Sequence, residues 1–170
     1  MDHTLVSLDE VSFRLAPIYR KIWYIKSQTP RSKFFWCNKK INVFGALIDN
    51  GELFCEDFSA QNSLTCKAFL SNFIETKIKK NEKYVFIFDN AGWHKTNVIK
   101  NYLAKFSNIK VQYLPPYCPE LNPIETTWKT TRFDVTNSNC FPTIDRLKER
   151  LEKYWQRNNF KLIFTNYLCP

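Results

Sequence analysis

Between Tyr84 and Phe88 the chain reads Tyr-Val-Phe-Ile-Phe, an unbroken apolar run that stops on Asp89-Asn90. A β-branched and aromatic run of this length predicts a central strand covered on both faces, in a sheet flanked by helices. The flanks agree. Upstream, Leu64, Ala68, Phe69, Phe73, Ile74 and Ile78 recur at helical spacing, with Lys77, Lys79 and Lys80 in the last turn, where cations suit the helix dipole. Downstream, Thr96 can cap a helix carrying Val98, Ile99, Tyr102, Leu103 and Phe106 on one side. Residues 109–114 then alternate as a strand.

The N-terminal third has a different grammar. Residues 4–9 read as a strand that stops on Asp9, residues 12–25 as further extended chain, and residues 28–33 as a basic loop. Residues 41–49 are strongly strand-like, and Asn50-Gly51 is a hairpin signal leading into residues 52–58. Near the other end, Asn122-Pro123 opens a helix, and Ile144, Leu147, Leu151, Tyr154 and Trp155 stripe a last one. The order is β-β-β-β-α-β-α-β-α-α. Antiparallel strands followed by βαβ units predict an α/β domain, a mixed sheet with helices on both faces. A ribonuclease-H-like, five-stranded layout fits best. The 170 residues show no repeat and no linker, so one domain over 1–170 is expected.

Composition removes several classes of function. Only Gly45, Gly51 and Gly92 occur, which excludes glycine-rich phosphate cradles. Six cysteines, none in a CxxC pair and with two histidines in the chain, make a zinc site improbable; scattered reduced thiols are expected. No apolar run approaches the roughly 18 residues of a membrane helix, and the N-terminus lacks the layout of a signal peptide. A soluble cytoplasmic protein is expected. The formal charge of +9 attracts polyanions, through release of the counterions condensed on them.

Against that basic background three carboxylates stand out. Asp9 ends the first strand, Asp89 ends the buried one, and Glu125 begins a helix 36 positions later. Carboxylates at the ends of neighbouring elements can meet at one sheet edge and hold two hard divalent ions for phosphoryl chemistry. Each has a plainer reading. Asp89 could be a turn residue. Asn122-Pro123-Ile124-Glu125 reads as a capping box, which spacing alone favours for Glu125. Glu10 could face the site as well as Asp9. His94 and Lys95 follow the buried strand; a lone histidine is more often a structural hydrogen-bonding residue than a catalyst, and the functional reading at this sheet edge is phosphate contact or water positioning. Lys129 and Arg132 lie four and seven positions past Glu125, on nearly the same helix face, either as phosphate clamps or as a solvated surface. Trp23, Trp36, Trp93 and Trp128 could stack on unpaired bases, although most are expected to be core.

Asp89-Asn90 with His94, then Leu114-Pro-Pro-Tyr-Cys118-Pro-Glu-Leu-Asn122-Pro-Ile-Glu125 and Trp128, resemble the catalytic core of the DDE transposases. The likeness is to the mariner superfamily, in its bacterial and archaeal insertion-sequence branch. Asp9-Glu10 with Phe13 resembles the first-strand motif and Gly45-Ala46-Leu47 a later strand, so the resemblance runs from about residue 4 to 132. It implies a triad of Asp9, Asp89 and Glu125 binding two Mg2+ or Mn2+ ions. It also implies cleavage at transposon ends and attack of the freed 3′-hydroxyl on target DNA. DNA, a second copy of the chain and a separate recognition chain are the implied partners, and the nucleoid the implied location. Cys118 stands where the family commonly has serine, and Arg132 where lysine is usual. The helix-turn-helix region that family members carry before the catalytic domain is expected to be absent. An idle or repurposed remnant that binds DNA non-specifically is the other reading.

Overall fold

The computed structural model describes residues 3–16, 25–27, 37–137 and 139–161; the expected basic loop at 28–33, Trp23 and Trp36 lie outside them. Three strands open the fold: β1 (Thr4–Arg14), β2 (Lys40–Ile48) and β3 (Leu53–Phe58). There follow α1 (Ser63–Lys77), β4 (Tyr84–Phe88), α2 (Asn97–Leu103), β5 (Ile109–Tyr113), α3 (Pro123–Thr131) and α4 (Ile144–Arg157). The five-stranded sheet has the order β3-β2-β1-β4-β5. The first three strands pair antiparallel, and β4 and β5 join parallel to β1. This is the expected mixed, ribonuclease-H-like sheet.

The strand boundaries differ from expectation at an informative place. β1 does not stop at Asp9, because its ladder with β2 continues from Val6↔Ile48 to Arg14↔Lys40. One long strand therefore replaces the two expected, and three strands instead of four precede α1 among the described residues. The ladder that does stop there is the parallel one, from Thr4↔Tyr84 to Leu8↔Phe88. Asp9 and Asp89 are each the first residue beyond it. They mark a notch at the carboxyl end of β4, the end of a parallel sheet where ligands bind.

Alternation along the strands sorts side chains onto two faces. Val6, Leu8, Phe44, Ala46, Phe86 and Phe88 pack with Phe69, Leu70 and Phe73 of α1 and with Ile99 and Leu103 of α2. On the opposite face Val11, Phe13, Val43 and Leu47 meet Ile124 and Trp128 of α3 and Leu147 and Leu151 of α4. Each such side chain contributes about 1.5–3 kcal/mol on full burial. Residues 5, 7, 9 and 11 of β1 share the α3 face; residue 10 looks the other way, toward α1.

The central strand is less enclosed than its apolar run implies. Val85 and Ile87 are half-buried, because α3 and α4 pack over β1 and β2. α1 buries Cys66, Phe69, Leu70, Phe73 and Ile74, whereas Leu64 is 69% exposed and Lys79 and Lys80 lie beyond the helix end. Asn62 and Thr65 close a capping box at its start. Gly51 turns the β2–β3 hairpin at φ +90°, as the Asn-Gly signal requires. Cys37, Cys55, Cys66 and Cys118 are free thiols, and burial pushes the Cys55 thiol up.

Candidate active site

Asp9 projects from β1 toward α3 and is 7% exposed. The Trp128 indole Nε1–H donates to its Oδ2 at 3.0 Å. Burial raises the Asp9 carboxyl well above the usual carboxylate range, and the charges of Glu10, Glu125 and Asp89 add to the rise.

Glu125 reaches the notch through a buried polar tie. The Ser7 hydroxyl donates to Asn122 Oδ1 and accepts from the Ile124 amide at 3.2 Å. Ser7 and Asn122 are fully buried, so the hydrogen bonds offset a desolvation cost that would otherwise stand. The tie fixes the first turn of α3 onto β1, two residues from Asp9. It also excludes the capping box, since the Asn122 side chain makes no cap bond to the helix. Glu125 is half-buried in that first turn.

Asp89 serves as a turn residue and as a member of the cluster. Its Oδ1 accepts from the Ala91 amide at 3.0 Å and meets His94 Nδ1 at 2.8 Å. Burial works to raise its pKa, but the bonds from His94 and Ala91 outweigh that and hold it below the ordinary value. His94 departs from the expected phosphate contact. It is 1% exposed, and its Nε2 lies 3.3 Å from Glu10 Oε2. Burial opposes its charge, yet the Asp89 carboxylate hydrogen-bonded to it, with Cys66 and the Glu10 carboxylate beside it, lifts its pKa to about 12. His94 is an internal cation between two carboxylates, with no face left for DNA. Glu10, on the α1 side of the sheet, lies against His94, on the face opposite Asp9.

The cations stand around this cluster. Lys95 is exposed, donates to Asn90 Oδ1 and lies 5.3 Å from the Tyr113 ring centroid. Asn90 in turn donates to the Leu114 carbonyl. Asp89, Asn90, Lys95 and residues 114–119 line a cleft of about 510 Å3. Tyr117 on its rim is wholly exposed and has φ +57°, a conformation that favours glycine. No role for Tyr117 is expected from the sequence, where the Pro-Pro-Tyr run, which stiffens the chain before an aromatic residue, is the signal for it. Lys129 is exposed, and among the described residues it has no acidic partner. The Arg132 guanidinium carbon lies 6.0 Å from the Phe13 ring centroid. Trp128 is 1% exposed and therefore core, and Trp93 is half-buried.

The donor set of Asp9, Asp89 and Glu125 is all carboxylate oxygen, the chemistry that hard divalent cations require. The side chains do not form a closed ligand group, however: among the described residues no three His, Cys, Asp or Glu are gathered as a metal site. The donor chemistry fits such an ion, and closure around one requires side-chain adjustment. No helix among the described residues is long and apolar enough to cross a membrane.

Known proteins resemble this chain in sequence and in fold. The family model of the DDE superfamily endonucleases matches residues 4–148. The insertion element IS630 uncharacterized 39 kDa protein of Shigella sonnei is 22% identical over 156 residues, 91% of this chain and 45% of that protein. The uncharacterized protein y4pE/y4sA of Sinorhizobium fredii is 34% identical over 73 residues, 43% of this chain and 51% of that protein. The chain thus spans about half the length of the curated relatives it matches. Among solved structures, the Mos1 strand transfer complex superposes with a TM-score of 0.76 at 18% identity, over 98% of this chain and 51% of that one. The Mos1 transposase catalytic domain with raltegravir and Mn gives 0.72 at 15% identity, over 98% and 77%. At such identities these likenesses speak to the fold alone. The match over most of its length makes the chain a member of the DDE superfamily endonucleases.

Proposed function

We propose that the chain is the catalytic domain of a transposase that cleaves DNA and transfers the cut strand, with two Mg2+ or Mn2+ ions held by Asp9, Asp89 and Glu125. The observation that carries this reading is the notch itself. Asp9 and Asp89 are each the first residue past the β1–β4 ladder, and the Ser7–Asn122 tie seats the helix turn that carries Glu125 on β1, two residues from Asp9, which supports the reading. The similar Mos1 structures, a strand transfer complex and paired-end complexes with a transposon end, Mn or Mg, support the same chemistry. When bound, a pair of such ions supplies Lewis-acid stabilisation of attacking and leaving oxygens.

The chain's own residues bind and orient. Asp9 is held by Trp128, and Asp89 is held by His94 and the Ala91 amide, so both carboxylates are restrained before DNA arrives. Lys95, Lys129 and Arg132 are placed to take phosphates, and the +9 charge draws DNA in. Pairing two transposon ends suits a homodimer, sequence-specific recognition of those ends would come from a separate recognition chain, and the work is done at the nucleoid in the cytoplasm.

The test is nicking of supercoiled plasmid by the purified chain with Mg2+ or Mn2+. Cleavage should need the ion and vanish in Asp89→Asn. Equal cleavage by that variant refutes the assignment. A second reading, a remnant that binds DNA without cutting it, is favoured by the absence of a closed ligand group among the described residues. It predicts salt-dependent DNA binding by the wild type with no ion-dependent cleavage.

A further inference from the structure

We infer that Trp128 is a positioning residue for Asp9, and that Gly45 lacks a side chain so that the indole can reach this carboxylate. The inference rests on the proposed function, in which Asp9 is a ligand. Asp9 and Gly45 are direct partners across the β1–β2 ladder, and both positions face α3. A Cβ on Gly45 would fall 2.5 Å from Cη2 and 2.6 Å from Cζ2 of Trp128, and 3.1 Å from Cδ1 of Ile124. The first two separations are closer than carbon atoms approach. The six-membered ring of Trp128 therefore lies directly on the β2 backbone, where any other residue would evict it.

The rest of the ring's surroundings fix its orientation. Phe13 meets it edge-on at 6.3 Å and Trp155 at 6.2 Å between centroids. Trp155 is itself held by a bond from its Nε1 to Thr131 Oγ1 at 3.1 Å. With the apolar ring enclosed, the polar Nε1–H is aimed at Asp9 Oδ2.

The choice of donor has a chemical consequence. An indole donates one hydrogen bond, accepts none and carries no charge. It restrains the carboxylate while leaving its negative charge for a cation, whereas lysine or arginine in the same place would compete with that cation. Outer partners that orient a metal ligand typically contribute about 10–100-fold to metal affinity.

A purely packing role for Trp128 makes different predictions, so the test separates the two. Mn2+ affinity is measured by calorimetry on the full chain for wild type, Trp128→Phe, Gly45→Ala and the double variant. A further protein carries benzothienylalanine at position 128, which keeps the bicyclic shape and lacks the N–H. Loss of the donor should weaken Mn2+ binding by about 10–100-fold, in the benzothienyl protein with the packing of the bicyclic ring retained. Gly45→Ala should weaken it alone, yet add little on top of Trp128→Phe, whose shorter ring no longer meets the new methyl. In the metal-free protein, the Trp128 indole N–H resonance should move in Asp9→Asn and in Gly45→Ala. Wild-type Mn2+ affinity in the benzothienyl protein overturns the inference, as does an indole resonance that ignores Asp9→Asn. A wild type that binds no Mn2+ refutes the proposed function instead, and the indole resonance still decides the Trp128–Asp9 contact.

Discussion

Replacing Asp9 by Asn should stabilise the metal-free protein while removing its DNA cleavage. Asp9 is 7% exposed and faces the charges of Glu10, Glu125 and Asp89, with the Trp128 indole and the Glu10 amide among its supports. Its folded-state pKa is raised, so between the ordinary carboxylate value and the folded one the native state binds more protons than the unfolded chain. Stability therefore falls as pH rises through that window, and the cost is fully present above it. Asn keeps the shape and an oxygen for the indole N–H, and drops the charge. Relief of such built-in functional strain commonly yields about 0.5–2 kcal/mol. For a domain of this size each kcal/mol moves Tm by about 2–4 °C, so calorimetry in EDTA should show a rise of roughly 1–8 °C at mildly alkaline pH. The difference should vanish in acid, where Asp9 is neutral in both states. Added Mn2+ should reverse the order, because a ligand that binds only the folded wild type stabilises it in proportion to the logarithm of its concentration. An Asn variant that melts below wild type in alkaline EDTA would refute this reasoning.

Other perturbations probe the supports. His94→Gln leaves Asp89 and Glu10 without their shared cation and should cost about 3–5 kcal/mol, read by urea denaturation in EDTA; an unchanged midpoint would show that the histidine is not the counter-charge. Ser7→Ala removes a partner from both Asn122 and the Ile124 amide, at about 1–3 kcal/mol per orphaned group. Cleavage should fall by up to about 100-fold as Glu125 shifts; a variant that loses stability and keeps full activity would disconnect the tie from the site. Lys129→Ala should leave Tm unchanged and reduce the slope of log K against log salt for duplex DNA by about 0.9. An identical slope would remove Lys129 from the DNA contacts.

Much of this arrangement was legible in the linear chain, for reasons that are local. The apolar run from Tyr84 to Phe88, broken by Asp89, marks a strand and its end without reference to anything else. Asn50-Gly51 marks its hairpin in the same way. What could not be read depends on partners far away in sequence. β1 continues past Asp9 because β2 supplies nine paired positions along it, which alternating Glu10 and Ser12 do not announce. Asn122 looks like a helix cap until Ser7, 115 residues distant, recruits its side chain. His94 looks like a loop residue available to phosphate, yet Glu10 and Asp89 converge on it from two strands. Trp128 looks like core and is core, but the bare backbone of Gly45 turns its single polar atom toward the site.

The proposed chemistry depends on Asp9, Asp89 and Glu125 holding two divalent ions. Anomalous diffraction from crystals soaked in Mn2+ tests it most directly. The account predicts two peaks roughly 3.5–4 Å apart, bracketed by these three carboxylates and lost in Asp89→Asn. A notch without peaks at saturating Mn2+, or peaks held by other residues, would contradict it.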